Sequence, residues 1–202
     1  MFRVPWIAAN TVQVHSLVEL VDVMPSLAEL AGLHMPANEP VPLDGVSLVP
    51  LMVAAAAGEE VTAATAAWAL AQQQALTQFP RCLKIWGHGV PRNQSLPDWQ
   101  FNDCDDVERG DFTHMGLSIR TPRWRLTRWY PWNGTALRPV WGASFAVANT
   151  ELYDHDGDDG SKFGGEHEAK NLAAEAGMAP VVKQLLAQLE ASFGRGDEEQ
   201  RD

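Results

Sequence analysis

Two short runs on either side of Thr121-Pro122 constrain this chain more than any other feature in it. In Met115-Gly116-Leu117-Ser118-Ile119-Arg120, the residues Met115, Leu117 and Ile119 alternate with Gly116, Ser118 and Arg120. That is the period-two pattern of a half-buried strand. In the following Trp124-Arg125-Leu126-Thr127, Trp124 and Leu126 share one face, while Arg123, Arg125 and Thr127 share the other. Proline fixes φ and pushes the residue before it into an extended shape, so Thr121-Pro122 reads as the turn of a hairpin. Such a hairpin sets several guanidinium groups beside large aromatic rings. Arginine forks match oxyanions and indole faces stack on sugars, which suits an anionic sugar or a sulfate ester.

The clearest helical pattern opens at Ser16, with Glu19 three residues later to complete a capping box. Leu17, Leu20, Val21, Met24, Leu27, Ala28 and Ala31 recur as one apolar stripe, and Gly32 supplies the stop. Pro25 lies inside the pattern and is expected to kink the helix or split it. Asp22 and Glu19 are expected to face solvent. Residues 35–50 carry four prolines, with Asp44-Gly45 as a turn, and read as a connector. The Ala-rich stretch 51–75 is expected to be helical in part. Further on, Ala75 to Phe79 predicts a strand ended by Pro80. Residues 82–112 read as a polar surface loop, and 131–150 as an extended connection. Glu151–Tyr153 reads as a short strand. A final helix is expected from near Pro180, with Val182, Leu185, Leu186, Leu189 and Phe193 on one face. The charged tail after Gly194 is expected to fray.

The length of 202 residues is enough for a core. The net charge is −11 and no basic block stands out, which argues against nucleic acid and against an anionic membrane surface. No apolar run reaches the roughly 20 residues a bilayer span needs. The eight tryptophans suit core packing or sugar stacking. Met1 to Ile7 does not read as a signal peptide, because Pro5 interrupts a short apolar stretch; it is expected to be the start of a strand. Cys82 and Cys104 flank a loop rich in Pro, Gly and Asn, which leaves a disulfide open in a secreted protein. Asn93-Gln94-Ser95 and Asn133-Gly134-Thr135 both fit the glycosylation acceptor pattern and lean toward a secretory route.

The acidic run Asp154-His155-Asp156-Gly157-Asp158-Asp159-Gly160 places acids at loop positions one, three and five. Asp159 and Gly165 then stand where a calcium loop needs Gly and Glu, so the run reads as a solvated turn. The six histidines show no metal-ligand spacing. His114 precedes the hairpin and is a hydrogen-bond donor for an anion or a satisfied surface histidine. Arg81, Arg120, Arg123, Arg125 and Arg128 form the best functional set, read either as salt-bridging stems over the sheet or as a basic rim.

Val18 to Leu33, Leu43 to Leu48, Leu76 to Arg81, the hairpin and Glu151 to Asp154 resemble, in this order, the C-terminal portion of sulfatases of the iduronate-2-sulfatase type. The resemblance implies an α+β fold, the C-terminal part of the alkaline-phosphatase-like α/β sulfatase fold. It would hold a small antiparallel sheet of about four strands packed with a C-terminal helix, plus an N-terminal helix from the larger domain. Residues 1–50 would then end the large domain, and 51–202 would form the C-terminal subdomain. The family hydrolyses sulfate esters with a formylglycine made from cysteine in Cys-x-Pro-x-Arg, helped by a bound divalent cation, usually calcium. Cys82 is followed by Leu83-Lys84 and Cys104 by Asp105-Asp106, so neither sits in that signature.

The resemblance therefore implies a fragment with no catalytic residue, no metal ligand and no cofactor of its own. Its implied partners are a sulfated sugar or other sulfate ester in the intact enzyme, and the missing N-terminal sulfatase portion. The substrate-rim candidates are Arg81, His114, Arg120, Arg123 and Arg125. Alternatives are a non-catalytic module that binds sulfated glycans, or an accessory subunit. If the resemblance and the two sequons hold, the implied location is secreted or lysosomal.

Overall fold

The computed structural model of the chain describes residues 2–7, 12, 14, 16–33, 43–58, 73–81, 112, 114–142, 149–160 and 165–194. The expectations for residues 82–111, including both cysteines, and for the tail beyond Gly194 lie outside the described residues. Two compact units divide the chain, residues 1–75 and 76–202.

In the first unit a 3-10 turn, Leu20–Asp22, runs into α1, Val23–Leu30. The capping box forms three residues later than expected. Glu19 is the N-cap, and its backbone N–H donates to Asp22 Oδ2 at 2.9 Å. Pro25 neither kinks nor splits α1, because it falls in the first α-turn, where a backbone N–H is not needed. The C-terminus follows the glycine rule: Gly32 has φ +67°, its N–H donates to Glu29 O, and the Leu33 N–H reaches back to Ala28 O. Asp22 corrects the sequence reading. It is fully buried rather than solvent-facing, because its Oδ1 accepts the backbone N–H of Val46 at 2.9 Å. Ser26 Oγ donates to Asp22 O at 2.6 Å and accepts from Leu48 N at 2.8 Å.

Gly45 explains the close approach of these segments. A Cβ there would lie 2.1 Å from Val21 O, so only glycine fits. The polar edge of the 3-10 turn and α1 is therefore inward, and their apolar stripe is exposed: Leu20 is 91% exposed and Met24 59%. Helix α2, Val49–Ala56, takes the start of the Ala-rich region, with Pro50 in its first turn. The N-terminal segment makes a turn closed by Ile7 N donating to Val4 O, not the expected strand.

Among the described residues, the second unit is built on a five-stranded sheet. Its strands are β1 (Ala75–Arg81), β2 (His114–Arg120), β3 (Trp124–Asn133), β4 (Arg138–Pro139) and β5 (Thr150–Asp154). Pro80 lies inside β1 rather than ending it, as an edge strand allows. The expected hairpin is present, and β3 runs six residues further than the sequence reading, taking the start of the supposed connection. β3 is the hub. It pairs antiparallel with β2 along its length, with β5 over Trp124–Arg128, and with β4 at Trp132–Asn133.

The register fixes the two faces. Met115, Leu117, Ile119, Leu126, Tyr130 and Leu152 form the core side, onto which α3 (Ala179–Ser192) brings Leu185 and Leu189. Those side chains share a face of the sheet as the alternation predicts. Tyr130 OH donates to Glu190 Oε1 at 2.7 Å, tying sheet to helix. Most of the described tryptophans of this unit pack rather than project: Trp124, Trp132 and Trp141 lean on the core, and Trp129 lies over Gly116, where a Cβ would sit 2.8 Å from its ring.

Candidate functional site

The hairpin turn is closed by Thr121. Its backbone N–H donates to Trp124 O at 2.8 Å, and its Oγ1 accepts from Trp124 N at 3.0 Å. A Pro at the next position presets the bend. Arg123 therefore sits in the turn, not on the strand face assigned from the sequence. Its fork binds Asp154 through both branches, Nε to Oδ1 at 3.0 Å and Nη2 to Oδ2 at 2.8 Å. The same guanidinium lies 4.7 Å from the centre of the Trp124 ring. Donating these hydrogen bonds to Asp154 raises the Arg123 pKa, and accepting them holds the Asp154 carboxyl below its ordinary value.

Arg120 and Arg125 are direct cross-strand partners on the face opposite the core. Like charges placed so are destabilising unless counter-charges intervene. Carboxylates supply them. Arg125 Nη1 is 2.7 Å from Glu168 Oε1, and Arg120 Nη2 is 4.0 Å from Asp158 Oδ2. Arg120 also donates to the carbonyl of Thr121. Burial, and the nearby charge of Arg125, lower the Arg120 pKa, with Asp158 and Glu168 opposing.

The acidic run is not a merely solvated turn. His155 N–H donates to Arg123 O at 2.7 Å, which pins the run to the hairpin. The His155 ring is buried, stacks on His167 at 5.6 Å, and donates from Nδ1 to Asp158 Oδ2 at 2.8 Å. Its Nε2 lies 3.2 Å from Glu168 Oε1 and is not aligned as a hydrogen bond. The His155 bond and the Gly160 backbone N–H bring the Asp158 pKa down to about 2. His167 Nδ1 reaches Asp154 O at 3.3 Å.

The structure thus brings Arg120, Arg123 and Arg125 together at the turn end of the hairpin. His114 is on the same face as Arg120 and Arg125 but six residues away along β2, roughly 20 Å at strand rise. Arg81 ends β1, and its side chain lies outside the described residues. Arg128 belongs to the core face, opposite Leu117, and donates to Thr150 Oγ1. Sequence reasoning missed His155, Asp158 and Glu168 as the partners of the arginines. The signal available was one histidine set between acids in the run after Tyr153. Among the described residues, no three His, Cys, Asp or Glu side chains converge to hold a metal ion.

Three arginines facing Asp154, Asp158 and Glu168 make a balanced cluster, rigid and rich in donors. Arg120 and Arg125 each keep donors that these contacts do not use: Arg120 donates to one carbonyl and faces Asp158 at 4.0 Å, and Arg125 meets Glu168 through one nitrogen. On the same outer face Glu151 accepts from Trp129 Nε1 at 2.9 Å and from Tyr153 OH at 3.1 Å.

No family model matches the chain. Among curated proteins, mouse iduronate 2-sulfatase is 30% identical over 154 residues, covering 74% of this chain and 26% of the relative. Human iduronate 2-sulfatase is 34% identical over 117 residues, covering 58% and 20%. The chain therefore spans about a quarter of the length of the curated relatives it matches. A solved putative sulfatase from Bacteroides thetaiotaomicron VPI-5482 superimposes with a TM-score of 0.47 at 19% identity, covering 89% of this chain and 25% of that one.

Proposed function

We propose, for a chain that is a C-terminal portion of the sulfatase family, that it serves a sulfatase whose reactive centre lies in the rest of the family fold. The intact protein would hydrolyse a sulfate ester on a sugar, as the name of its iduronate 2-sulfatase relatives describes for them. The observation that carries the reading is the 30% identity over 154 residues. The uncovered stripe of the 3-10 turn and α1 supports it. Leu20, Met24 and Leu27 are more than half exposed, and an apolar patch of this kind calls for a partner. In this reading the formylglycine cysteine and the calcium ligands belong to the partner portion. The present chain supplies part of the substrate rim from Arg81, His114, Arg120, Arg123 and Arg125.

Co-expression with an N-terminal sulfatase portion tests the proposal. The pair is expected to cleave a sulfated disaccharide, and the 202-residue chain alone is expected to cleave nothing. Metal-dependent turnover of an aryl sulfate by the purified chain would overturn it. A glycan-binding module is the second reading, favoured by three guanidinium groups gathered at the turn end of the hairpin, two of which keep unused donors. Retention of the isolated chain on sulfated glycans, released by free sulfate, distinguishes that case.

A further inference from the structure

We infer that Asn133 is an acceptor for an N-linked glycan, on grounds separate from the sulfatase reading. Asn133-Gly134-Thr135 has the Asn-x-Thr pattern that glycosylation requires, with no proline between. The other sequon, Asn93-Gln94-Ser95, lies outside the described residues. Asn133 is the last residue of β3. Gly134 to Leu137 turn the chain, and β4 returns with Arg138 paired to Asn133. Asn133, Thr135, Ala136 and Leu137 are all exposed, as a surface modification needs.

The side chain is held in one orientation. Asn133 Oδ1 accepts the backbone N–H of Thr135 at 3.1 Å and of Ala136 at 2.9 Å. Two donors aimed at one atom identify it as the oxygen. Nδ2 then points away from the turn, and it bonds no described residue. Two hydrogen bonds on the amide oxygen draw electron density from nitrogen, which favours loss of an Nδ2 proton. Thr135 is exposed beside it, with no side chain at Gly134 in the way. The co-substrate would be a lipid-pyrophosphate-linked oligosaccharide. A bond forms between Nδ2 and the anomeric carbon, the bond from that carbon to the pyrophosphate oxygen breaks, and the Nδ2 proton passes to a base of the transferase.

The test is secretion of the full chain from eukaryotic cells behind a cleavable signal, followed by mass analysis of the peptide containing Asn133. A glycan removable by peptide N-glycosidase is expected there. N133Q removes the turn's cap as well as the acceptor, so T135A is the informative variant, because it leaves Asn133 and both of its backbone hydrogen bonds in place. T135A is expected to lose the glycan and T135S to keep it. An unmodified Asn133 in secreted chain, or a glycan there that T135A leaves untouched, overturns the inference.

Discussion

Replacing Asp22 by alanine tests whether a buried carboxylate, rather than apolar packing, joins the two N-terminal segments. Asp22 accepts two backbone N–H groups, from Glu19 and from Val46, each at 2.9 Å. A hydrogen bond to a charged group contributes about 1.5–3 kcal/mol. Both bonds are only part-buried, so water can reach the donors and the lower figure applies to each. The loss is then about 3 kcal/mol, roughly 150-fold in an opening equilibrium at about 1.4 kcal/mol per tenfold. Native-state hydrogen exchange at the Val46 amide reads this local opening directly. D22A is expected to speed exchange at Val46 by that factor and to leave Leu126, in the other unit, unchanged. S26A removes the acceptor for Leu48 N and should speed exchange there as well. The double variant should show less than the sum, because both side chains fasten one segment. An acceleration below fivefold at Val46 in D22A would refute the reasoning.

Gly45→Ala places a Cβ 2.1 Å from Val21 O and should cost at least the ~1–3 kcal/mol of overpacking, read as the same loss of Val46 protection. Gly116→Ala drives a Cβ to 2.8 Å from the Trp129 ring; the indole must move off its Glu151 partner, with a change in tryptophan fluorescence and a loss of roughly 1–3 kcal/mol in urea denaturation. Leu126→Ala empties a fully buried position between β2 and β5 and should cost about 2–5 kcal/mol by the same denaturation. Acid should loosen the turn after β5. Asp158 has a depressed folded pKa, so its stabilisation is complete above the ordinary carboxylate range near 4 and disappears as pH falls toward about 2. Exchange at Gly160 should therefore accelerate between those values, and D158N should remove that acid dependence.

The hairpin was legible because strict alternation in Met115 to Arg120 admits one periodicity, and Pro122 admits one place for the turn. The final helix was equally plain, since its apolar spacing and Pro180 agree on where it begins. Asp22 was misread because pattern logic assigns an acid beside an apolar stripe to solvent. Its burial depends on Val46, twenty-four residues on, and on the absence of a side chain at Gly45. Pairings at such separation leave no periodic trace. The site divides the same way. The arginines were visible as residue types, and Arg120 and Arg125 were correctly placed on the polar face. The acids that neutralise them come from the turn after β5, which adjacency in sequence cannot link to the hairpin. Arg128 shows the opposite failure, a charge on the core face whose partner Thr150 sits directly opposite it on β5.

The double pairing of β3 has a consequence for how the chain is made. When Asn133 leaves the ribosome, β2 and β3 have all they need to join, but the second flank of β3 waits for Thr150 to Asp154. About twenty further residues must be synthesised first, which takes about 1–4 s at ordinary elongation rates. During that interval a naked strand edge carrying Trp124 and Leu126 is open to pairing with a neighbouring nascent chain. A transcript or nick ending between 142 and 149 would make that interval permanent, so products of that length should be recovered as aggregate.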